Sequence, residues 1–334
     1  MRFTLSDTAA ALRDAAAGLL EAEVSPQVIR AGWPSGQPDL VGAAWQKLAA
    51  VGAMGTLVPE ERGGLGLDEN SLVPLLEEVG RSGLPGPVTE TVAVAAPLLD
   101  GEHLGGVLAG ETTVAAQLGD GDLVPHGQQA DLVLLRSGAT LRLYDRGALA
   151  LQPCATVDGS RGMARLTSRP AAGGTLVSDD PAVLETAWQR GVLGTSALLT
   201  GLATRMLALT VGYVQQREQF GRPIGSFQAI KHALANALVA VEFARPAGLA
   251  AAWAQATGAA DAAAQTSMAK VLAADAARLV ARTAIQCHGA IGYTTEYDLH
   301  LYAKRTWALI PGWGSPQWHR AQLAAFLGVA DERS

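Results

Sequence analysis

The sequence predicts a mainly α-helical protein with a small β domain in the middle of the chain. Of its 334 residues, 49% are hydrophobic, and much of that share is alanine, which favours helices. Apolar residues recur at helical spacing at both ends of the chain, whereas short strand-forming runs lie between them. We therefore expect an N-terminal α domain (1–111), a middle β domain (112–178) and a C-terminal helical bundle (179–334).

The N-terminal region contains four segments with helical periodicity. They are residues 5–23, 39–51, 72–80 and 89–99. Ser6 and Asp7 are both suitable N-caps for the first helix. A glycine-rich stretch at 59–67 is interpreted as a turn between two helices, because the strand-to-helix fingerprint of a phosphate-binding loop is missing.

The middle region changes to short runs that are rich in strand-forming residues. These runs are 112–116, 130–135 and 140–144, and Gly, Asp and Pro separate them. They predict a small β domain of about 65 residues in the region where the helical periodicity stops.

The C-terminal region begins at Asp180-Pro181, an N-cap followed by a residue that suits the first helical position. Helical patterns follow at 181–216, 226–257, 260–288, 296–308 and 316–328. Pro246 is expected to kink the second of them. Long helices joined by short loops predict an antiparallel bundle.

Charge and hydropathy argue against several classes of protein. The net charge is −6 without a basic patch, so nucleic acid is not an expected partner. No membrane span is expected, because no run of eighteen apolar residues is free of polar interruption. Cys154 and Cys287 have neither metal-ligand nor disulfide spacing, so we expect no metal site and a reduced, cytoplasmic setting.

A compact loop at 217–225 joins the first two helices of the bundle and contains two glycines and a proline. The junction projects Arg217 and Phe220. A guanidinium can bind a pyrophosphate bidentately, and a phenyl ring offers a flat apolar face, so a dinucleotide-binding role is one interpretation. The other interpretation is an ordinary helical hairpin whose arginine pairs with a carboxylate.

A second motif, the run from Gln286 to Tyr297, lies near the end of the bundle. This run and residues 217–235 closely resemble two C-terminal-domain motifs of the acyl-CoA dehydrogenase family, with Ala290 in place of the family's second glycine. The resemblance spans most of the chain, weakly at the N-terminus and poorly in the middle. It implies the family's three-domain fold, with a four-helix bundle at the C-terminus. It also implies oxidation of the Cα–Cβ bond of an acyl-CoA thioester with FAD.

The resemblance further implies which residues bind the cofactor. Arg217, Phe220, Gln286 and Gly289 match family positions that reach across a dimer interface into the neighbour's flavin site. Arg217 is expected on the pyrophosphate and Phe220 near the adenosine end. Gln286 and the turn at Gly289 are expected to receive the diphosphate–adenosine portion through amide and backbone N–H groups. The alternatives are a structural ion pair for Arg217, a core position for Phe220 and a buried amide for Gln286.

Three parts of an independent active site are missing when the chain is set against the family. The family's catalytic Glu lies either twenty-seven residues after the motif Gln or twenty-six before the motif Arg, and these positions are Trp313 and Gly191. Neither residue can remove a proton, so we expect no catalytic residue here. The acidic, glycine-rich flavin signature is replaced by residues 117–122, and the Trp-centred strand has no substitute.

These absences suggest a chain that resembles the shorter, non-catalytic subunit of α2β2 bacterial dehydrogenases of steroid side-chain degradation. A longer paralogue would carry the Glu and share its FAD, and the chain alone would be inactive. The substrate would be a bulky acyl-CoA, with an electron-transfer flavoprotein or similar acceptor. Two alternatives remain: a homomeric flavoenzyme with a displaced base at Glu185 or Asp298, and a structural pseudoenzyme that binds neither FAD nor CoA.

Aromatic and histidine residues near these positions leave two further questions. Trp307, Trp313 and Trp318 are expected either to fill an unused substrate cavity or to form part of a wide sterol pocket shared with the partner. His288 and His300 have no third ligand at metal spacing, so they are expected to be structural or surface residues.

Overall fold

Ten α-helices dominate the part of the chain that the computed structural model describes, which is residues 4–34, 36–170 and 173–329. They are α1 Asp7–Glu23, α2 Pro26–Ala31, α3 Pro38–Ala50, α4 Glu69–Ser82, α5 Gly101–Leu108, α6 Pro181–Gln216, α7 Gln228–Ala256, α8 Ala262–His288, α9 Leu299–Leu309 and α10 Pro316–Phe326. The first three and last five residues of the predicted terminal domains lie outside the described residues.

The N-terminal helices begin at local capping signals and bury one apolar face. The Ser6 hydroxyl accepts a hydrogen bond from the backbone N–H of Ala9 (3.2 Å), which fixes the start of α1. Leu12 and Leu20 on α1 are buried, and the helix packs against α4. Each such leucine contributes about 1.5–3 kcal/mol to folding.

The segment after α4 departs from the expected single helix over 89–99. Thr89–Ala95 forms a π-helix, and Ala96–Leu98 follows as a 3₁₀ helix. Pro97 has no N–H to donate and therefore cannot continue a regular ladder. The π-helix carries the buried Glu90 into the interior, where it faces the C-terminal bundle.

The middle region forms two small sheets from seven strands. They are β1 Val114–Gln117, β2 Leu123–Val124, β3 Leu132–Ser137, β4 Thr140–Asp145, β5 Leu151–Pro153, β6 Ala164–Leu166 and β7 Thr175–Ser178. One sheet has the order β1-β3-β4-β7, with β1 parallel to β3, and the other has the antiparallel order β2-β6-β5. The strands predicted from the sequence correspond to β1, β3 and β4.

The C-terminal region is a bundle in which α6, α7 and α8 pack on one another, with α9 on α6 and α10 on α8. The predicted cap at Asp180 accepts a hydrogen bond from the N–H of Ala182 (2.8 Å). Helix α7 continues as α-helix through Pro246. By length and composition α6 and α7 could each span a membrane, but both pack within the bundle, and bundle helices meet the same criteria.

Backbone contact at glycines holds the N-terminal helices against the bundle. A Cβ on Gly201 of α6 would lie 1.9 Å from the carbonyl oxygen of Glu77, and one on Gly80 of α4 would lie 2.3 Å from that of Leu198. Only glycine permits so close an approach. The crossing of α4 and α6 therefore places the π-helix that follows α4 beside α6.

Candidate functional site

The loop between α6 and α7 is a miniature hairpin that points into solvent. Strands β8 Glu218–Gln219 and β9 Arg222–Pro223 pair antiparallel. The two residues between them, Phe220 (φ 55°) and Gly221 (φ 76°), both have left-handed backbones, as the favoured two-residue hairpin turn requires. Phe220 is 92% exposed and meets only the edge of the Phe227 ring, at 6.1 Å between centroids. The core interpretation of Phe220 is therefore wrong.

The other three predicted cofactor-binding residues are exposed as well. Arg217 follows the last residue of α6, and within the described residues its side chain makes neither an ion pair nor a hydrogen bond. Gln286 is exposed in the last turn of α8. Gly289 (φ 64°, ψ −137°) ends that helix, and no atom lies within 4 Å of a Cβ built on it. The structure therefore does not support the structural ion pair considered for Arg217 or the buried amide considered for Gln286.

A stack of three rings joins the two motifs. Tyr213, one turn before Arg217, stacks on His288 with 4.2 Å between ring centroids. Tyr297 lies 4.8 Å from the His288 ring and 5.8 Å from the Tyr213 ring. The stack thus brings Arg217 and Gln286 to the same end of the bundle. Sequence reasoning missed this arrangement, although the four-residue spacing of Tyr213 and Arg217 already placed both residues on one face of α6.

Both histidines singled out in the sequence are buried, so the surface interpretation is wrong and the structural one holds. The Nδ1 of His288 donates to the carbonyl oxygen of Ala284 (2.7 Å), and burial lowers its pKa. His300 packs edge-on against Trp33, with 6.0 Å between ring centroids. Among the described residues, no group of three or more His, Cys, Asp or Glu side chains could hold a metal ion.

Gly191 and Trp313, the two positions at which the sequence comparison placed the family's catalytic Glu, lie in direct contact. A Cβ built on Gly191 would lie 2.4 Å from the Cε3 of Trp313. The Nε1 of Trp313 donates to Oε1 of the buried Glu90 (3.3 Å). Trp188 lies 5.5 Å from Trp313 and 5.9 Å from Trp318 between ring centroids. The indole of Trp313 therefore fills the space that a side chain at residue 191 would need.

Sequence reasoning missed Trp188 and Glu90. Trp188 lies three residues before Gly191, so helical spacing places it on the same face of α6. That spacing is a usable signal. Glu90 comes from a π-helix more than two hundred residues away in sequence from Trp313, and no local pattern predicts their contact.

Two buried basic side chains fix the turn that carries Trp313. The Nζ of Lys270 donates to the carbonyl oxygens of Leu309 (3.3 Å) and Gly312 (2.7 Å), and burial lowers its pKa to about 7. The Nε2 of His319 donates to the carbonyl oxygen of Trp313 (2.9 Å), and burial lowers its pKa to about 4. His319 is therefore neutral at neutral pH, whereas Lys270 titrates near pH 7. The backbone carbonyls of the turn are thereby satisfied.

Residues 117–122, the segment expected to replace the family's flavin signature, form hydrogen bonds and an ion pair with other residues of the β region. Gln117 donates to the carbonyl oxygen of Leu123 (2.5 Å) and accepts from the N–H of Gly119 (2.9 Å). Arg169 donates to the carbonyl oxygen of Gly121 (2.7 Å), and Asp122 pairs with Arg165. The side chains of this segment therefore do not fit the polar edge of a flavin ring.

The two displaced-base candidates are engaged at the surface. Glu185 accepts from the Nε2 of Gln189 (2.5 Å) and lines a cleft of about 1010 Å³ between α6, α10 and the β region. Asp298 pairs with Arg30 (2.5 Å). Among the described residues, neither carboxylate forms a hydrogen bond with the indole of Trp313, which donates to Glu90 instead.

Comparison with known proteins matches this fold and these motifs. The family models for the acyl-CoA dehydrogenase N-terminal and C-terminal domains match residues 6–100 and 182–328. Acyl-CoA dehydrogenase IpdE2 of Mycolicibacterium smegmatis is 32% identical over 335 residues, covering 96% of this chain and 99% of that protein. This chain belongs to the acyl-CoA dehydrogenase family. The mainly α fold with a small β domain, predicted from the sequence, is confirmed.

Two solved structures match this dehydrogenase over nearly its whole length. The Tcur3481–Tcur3483 steroid ACAD is 26% identical with a TM-score of 0.85, covering 97% of this chain and 99% of its own. The ChsE4–ChsE5 complex from Mycobacterium tuberculosis is 24% identical with a TM-score of 0.83, covering 99% and 100%. Membership places the chain among FAD-dependent oxidoreductases that act on CH–CH groups.

Proposed function

We propose that this acyl-CoA dehydrogenase chain is a subunit that completes the FAD site of a longer paralogous subunit and carries no catalytic base of its own. The observation that carries this proposal is the contact between Gly191 and Trp313. The indole of Trp313 fills the space that a side chain at residue 191 would need, while the residues suited to the outer half of FAD are exposed at the other end of α6. Such a chain can serve a neighbour's cofactor but cannot take the α-proton itself.

The residues present fit the diphosphate half of FAD. Arg217 is an exposed cation whose planar fork matches phosphate oxygens. The amide of Gln286 and the backbone beyond Gly289 add neutral donors, and the open side of Gly289 lets a ligand approach. Phe220 offers an apolar face to the adenosine end. FAD, when bound, accepts the electrons of the CH–CH oxidation, and the partner's carboxylate removes the α-proton.

The identity of the substrate and partners follows from the same proposal. We infer an α2β2 assembly with the longer paralogue, an electron-transfer flavoprotein or similar acceptor, and a cytoplasmic location. Similarity to a steroid ACAD supports a bulky, steroid-type acyl-CoA as substrate. We also infer the division into domains at 1–111, 112–178 and 179–334.

The test is flavin content. The chain is co-expressed with longer paralogues, and FAD per heterodimer is measured from absorbance and mass. About one FAD per pair and none on this chain alone is the expected result. The Arg217→Ala variant is expected to assemble without flavin. Arg13, a half-exposed arginine on α1 that pairs with Asp14, is replaced in the control variant Arg13→Ala, which is expected to retain flavin.

Other outcomes decide between the alternatives. Full FAD content in the Arg217→Ala heteromer would remove the assigned role of this arginine. Flavin bound to the lone chain, together with reduction of an artificial acceptor by an acyl-CoA, would favour the homomeric enzyme, with Glu185 in the cleft of about 1010 Å³ as the residue to replace first. If no complex contains flavin, the structural pseudoenzyme is the interpretation that remains.

A further inference from the structure

A cavity of about 500 Å³ lies between the β region and the turn that follows α9. Trp188, Trp307 and Trp313 form much of its wall. Trp307 is 38% exposed, and Val157, which also lines the cavity, is exposed as well. The cavity therefore opens to solvent on this side, and its volume falls in the range of small-molecule sites.

Arg161 lines the inner side of this cavity and is almost completely buried, at 4% exposure. Its Nη1 donates to the carbonyl oxygen of Ala308 (2.5 Å), but its buried Nε has no hydrogen-bond partner. No ion pair joins Arg161 to a carboxylate in the part of the chain that the structure describes. A buried guanidinium with no directly bonded anion is costly, because its charge has lost water and gains only longer-range attraction from carboxylates.

The nearby carboxylates are already bound to other groups. Asp158 accepts from the Oγ of Ser160 (2.6 Å) and the Nε of Arg305 (3.2 Å). Glu90 accepts from the indole of Trp313. Each lowers the local positive potential, but neither forms a direct hydrogen bond with Arg161.

The guanidinium can be reached from the cavity because Gly312 has no side chain. Gly312 lines the cavity, and a Cβ built on it would lie 3.8 Å from Nη2 of Arg161. That distance is ordinary van der Waals contact, so any larger residue would cover the nitrogen. Nη2 makes no hydrogen bond to the described residues, which leaves it free to donate to a ligand.

We propose that this cavity binds a flat apolar molecule bearing one carboxylate, with the carboxylate on Arg161 and the ring system against Trp307 and Trp313. Aromatic walls favour a planar hydrocarbon body, and one unpaired cation matches one negative charge. A neutral molecule of the same shape would leave the arginine unpaired. The proposal concerns this chain alone and does not depend on FAD being shared with a partner.

The test uses 1-pyrenebutyrate and its uncharged analogue 1-pyrenebutanol, titrated into the full-length chain by calorimetry. The acid is expected to bind about tenfold more tightly or better, which is the usual effect of a charge-assisted hydrogen bond. The Arg161→Met variant is expected to bind both compounds equally and weakly. Equal binding of acid and alcohol to the unaltered protein would overturn the proposal.

Surface variants test the location and remain available if Arg161→Met does not fold. Trp307→Ala is expected to weaken binding of the acid at least about tenfold, since a bound ring loses one wall. Trp253→Ala, which removes a tryptophan of similar exposure (39%) from α7, is the matched control and is expected to bind normally. If Trp318→Ala abolishes binding while Trp307→Ala does not, the molecule occupies the neighbouring cleft and the proposal fails.

Discussion

The Cα of Gly191 lies directly against the indole of Trp313, so that a Cβ at residue 191 would be 2.4 Å from Cε3 and 2.5 Å from Cδ2. Real Cβ atoms do not approach other heavy atoms so closely. The small residue on α6 and the large one after α9 are therefore complementary. The indole excludes any larger side chain, a carboxylate included, from position 191.

This complementarity predicts that Gly191→Ala destabilises the protein. The added methyl group must displace a packed indole, which costs about 1–3 kcal/mol in the free energy of unfolding. Gly212→Ala in the same helix is the control, since no atom lies within 4 Å of its Cβ. It is expected to stabilise by up to about 1 kcal/mol through helix propensity. Urea denaturation measures both, and equal effects would contradict the contact.

The Tyr213–His288–Tyr297 stack predicts a second effect, on the geometry of the two cofactor motifs. Tyr213→Leu should lower the free energy of unfolding by about 0.5–1.5 kcal/mol, because the aromatic contacts of Tyr213 are lost. It should also lower flavin retention in the heteromer, because Arg217 lies one turn away. Tyr213→Phe should behave as the unaltered protein, since the phenol's hydrogen bond to His288 is long (3.4 Å). Thermal unfolding and flavin content are the two readouts, and normal flavin retention in Tyr213→Leu would contradict the positioning role.

Lys270 predicts a rise of stability with pH. Burial lowers its pKa from 10.5 to about 7, so between these pH values the unfolded chain binds a proton that the folded chain does not. The free energy of unfolding should therefore increase with pH in this window, by up to about 1.4 kcal/mol per unit. Across pH 7, 8 and 9, the urea midpoint of the unaltered protein should increase relative to that of Lys270→Met. If the two midpoints change with pH in parallel, burial does not lower the pKa of Lys270.

His319 predicts the acid limit of the same turn. Burial lowers its pKa from 6.5 to about 4, so the unfolded state binds the extra proton between these values. Stability should consequently fall as the pH drops from 6.5 to 4, by at most about 1.4 kcal/mol per unit. His319→Gln should lose this contribution to the slope. An unchanged slope in denaturation curves at pH 6.5, 5.5 and 4.5 would argue against a buried neutral imidazole.

The helices of the C-terminal bundle were predictable because their signals are local. Helix α6 spans Pro181–Gln216 as predicted, and Asp180 and Ser315 cap their helices through side-chain oxygens. The π-helix at Thr89–Ala95 was not predictable, since its apolar spacing resembles that of an ordinary helix. Tertiary contacts select the wider turn there.

The candidate site divides in the same way. Arg217 and Gln286 belong to continuous motifs, so the sequence alone singles them out. The surroundings of Trp313 come from three distant segments that carry Glu90, Trp188 and Lys270. Helical spacing places Trp188 on the face of α6 that carries Gly191, but no pattern along the chain predicts the contacts of Glu90 with Trp313 or of Lys270 with Gly312, because these join segments that are distant in sequence. Arg161 was missed for that reason as well.

The shared space of Gly191 and Trp313 also constrains how the chain can change. A glutamate at 191 collides with the indole unless Trp313 is replaced too. A glutamate at 313 must adopt the left-handed backbone (φ 55°) that the turn imposes, beside a segment, 117–122, in which Gln117 and Asp122 are already bound to Leu123 and Arg165. We therefore expect that a carboxylate at either position requires coordinated changes in its surroundings, and that no single substitution at Gly191 or Trp313 introduces one without strain.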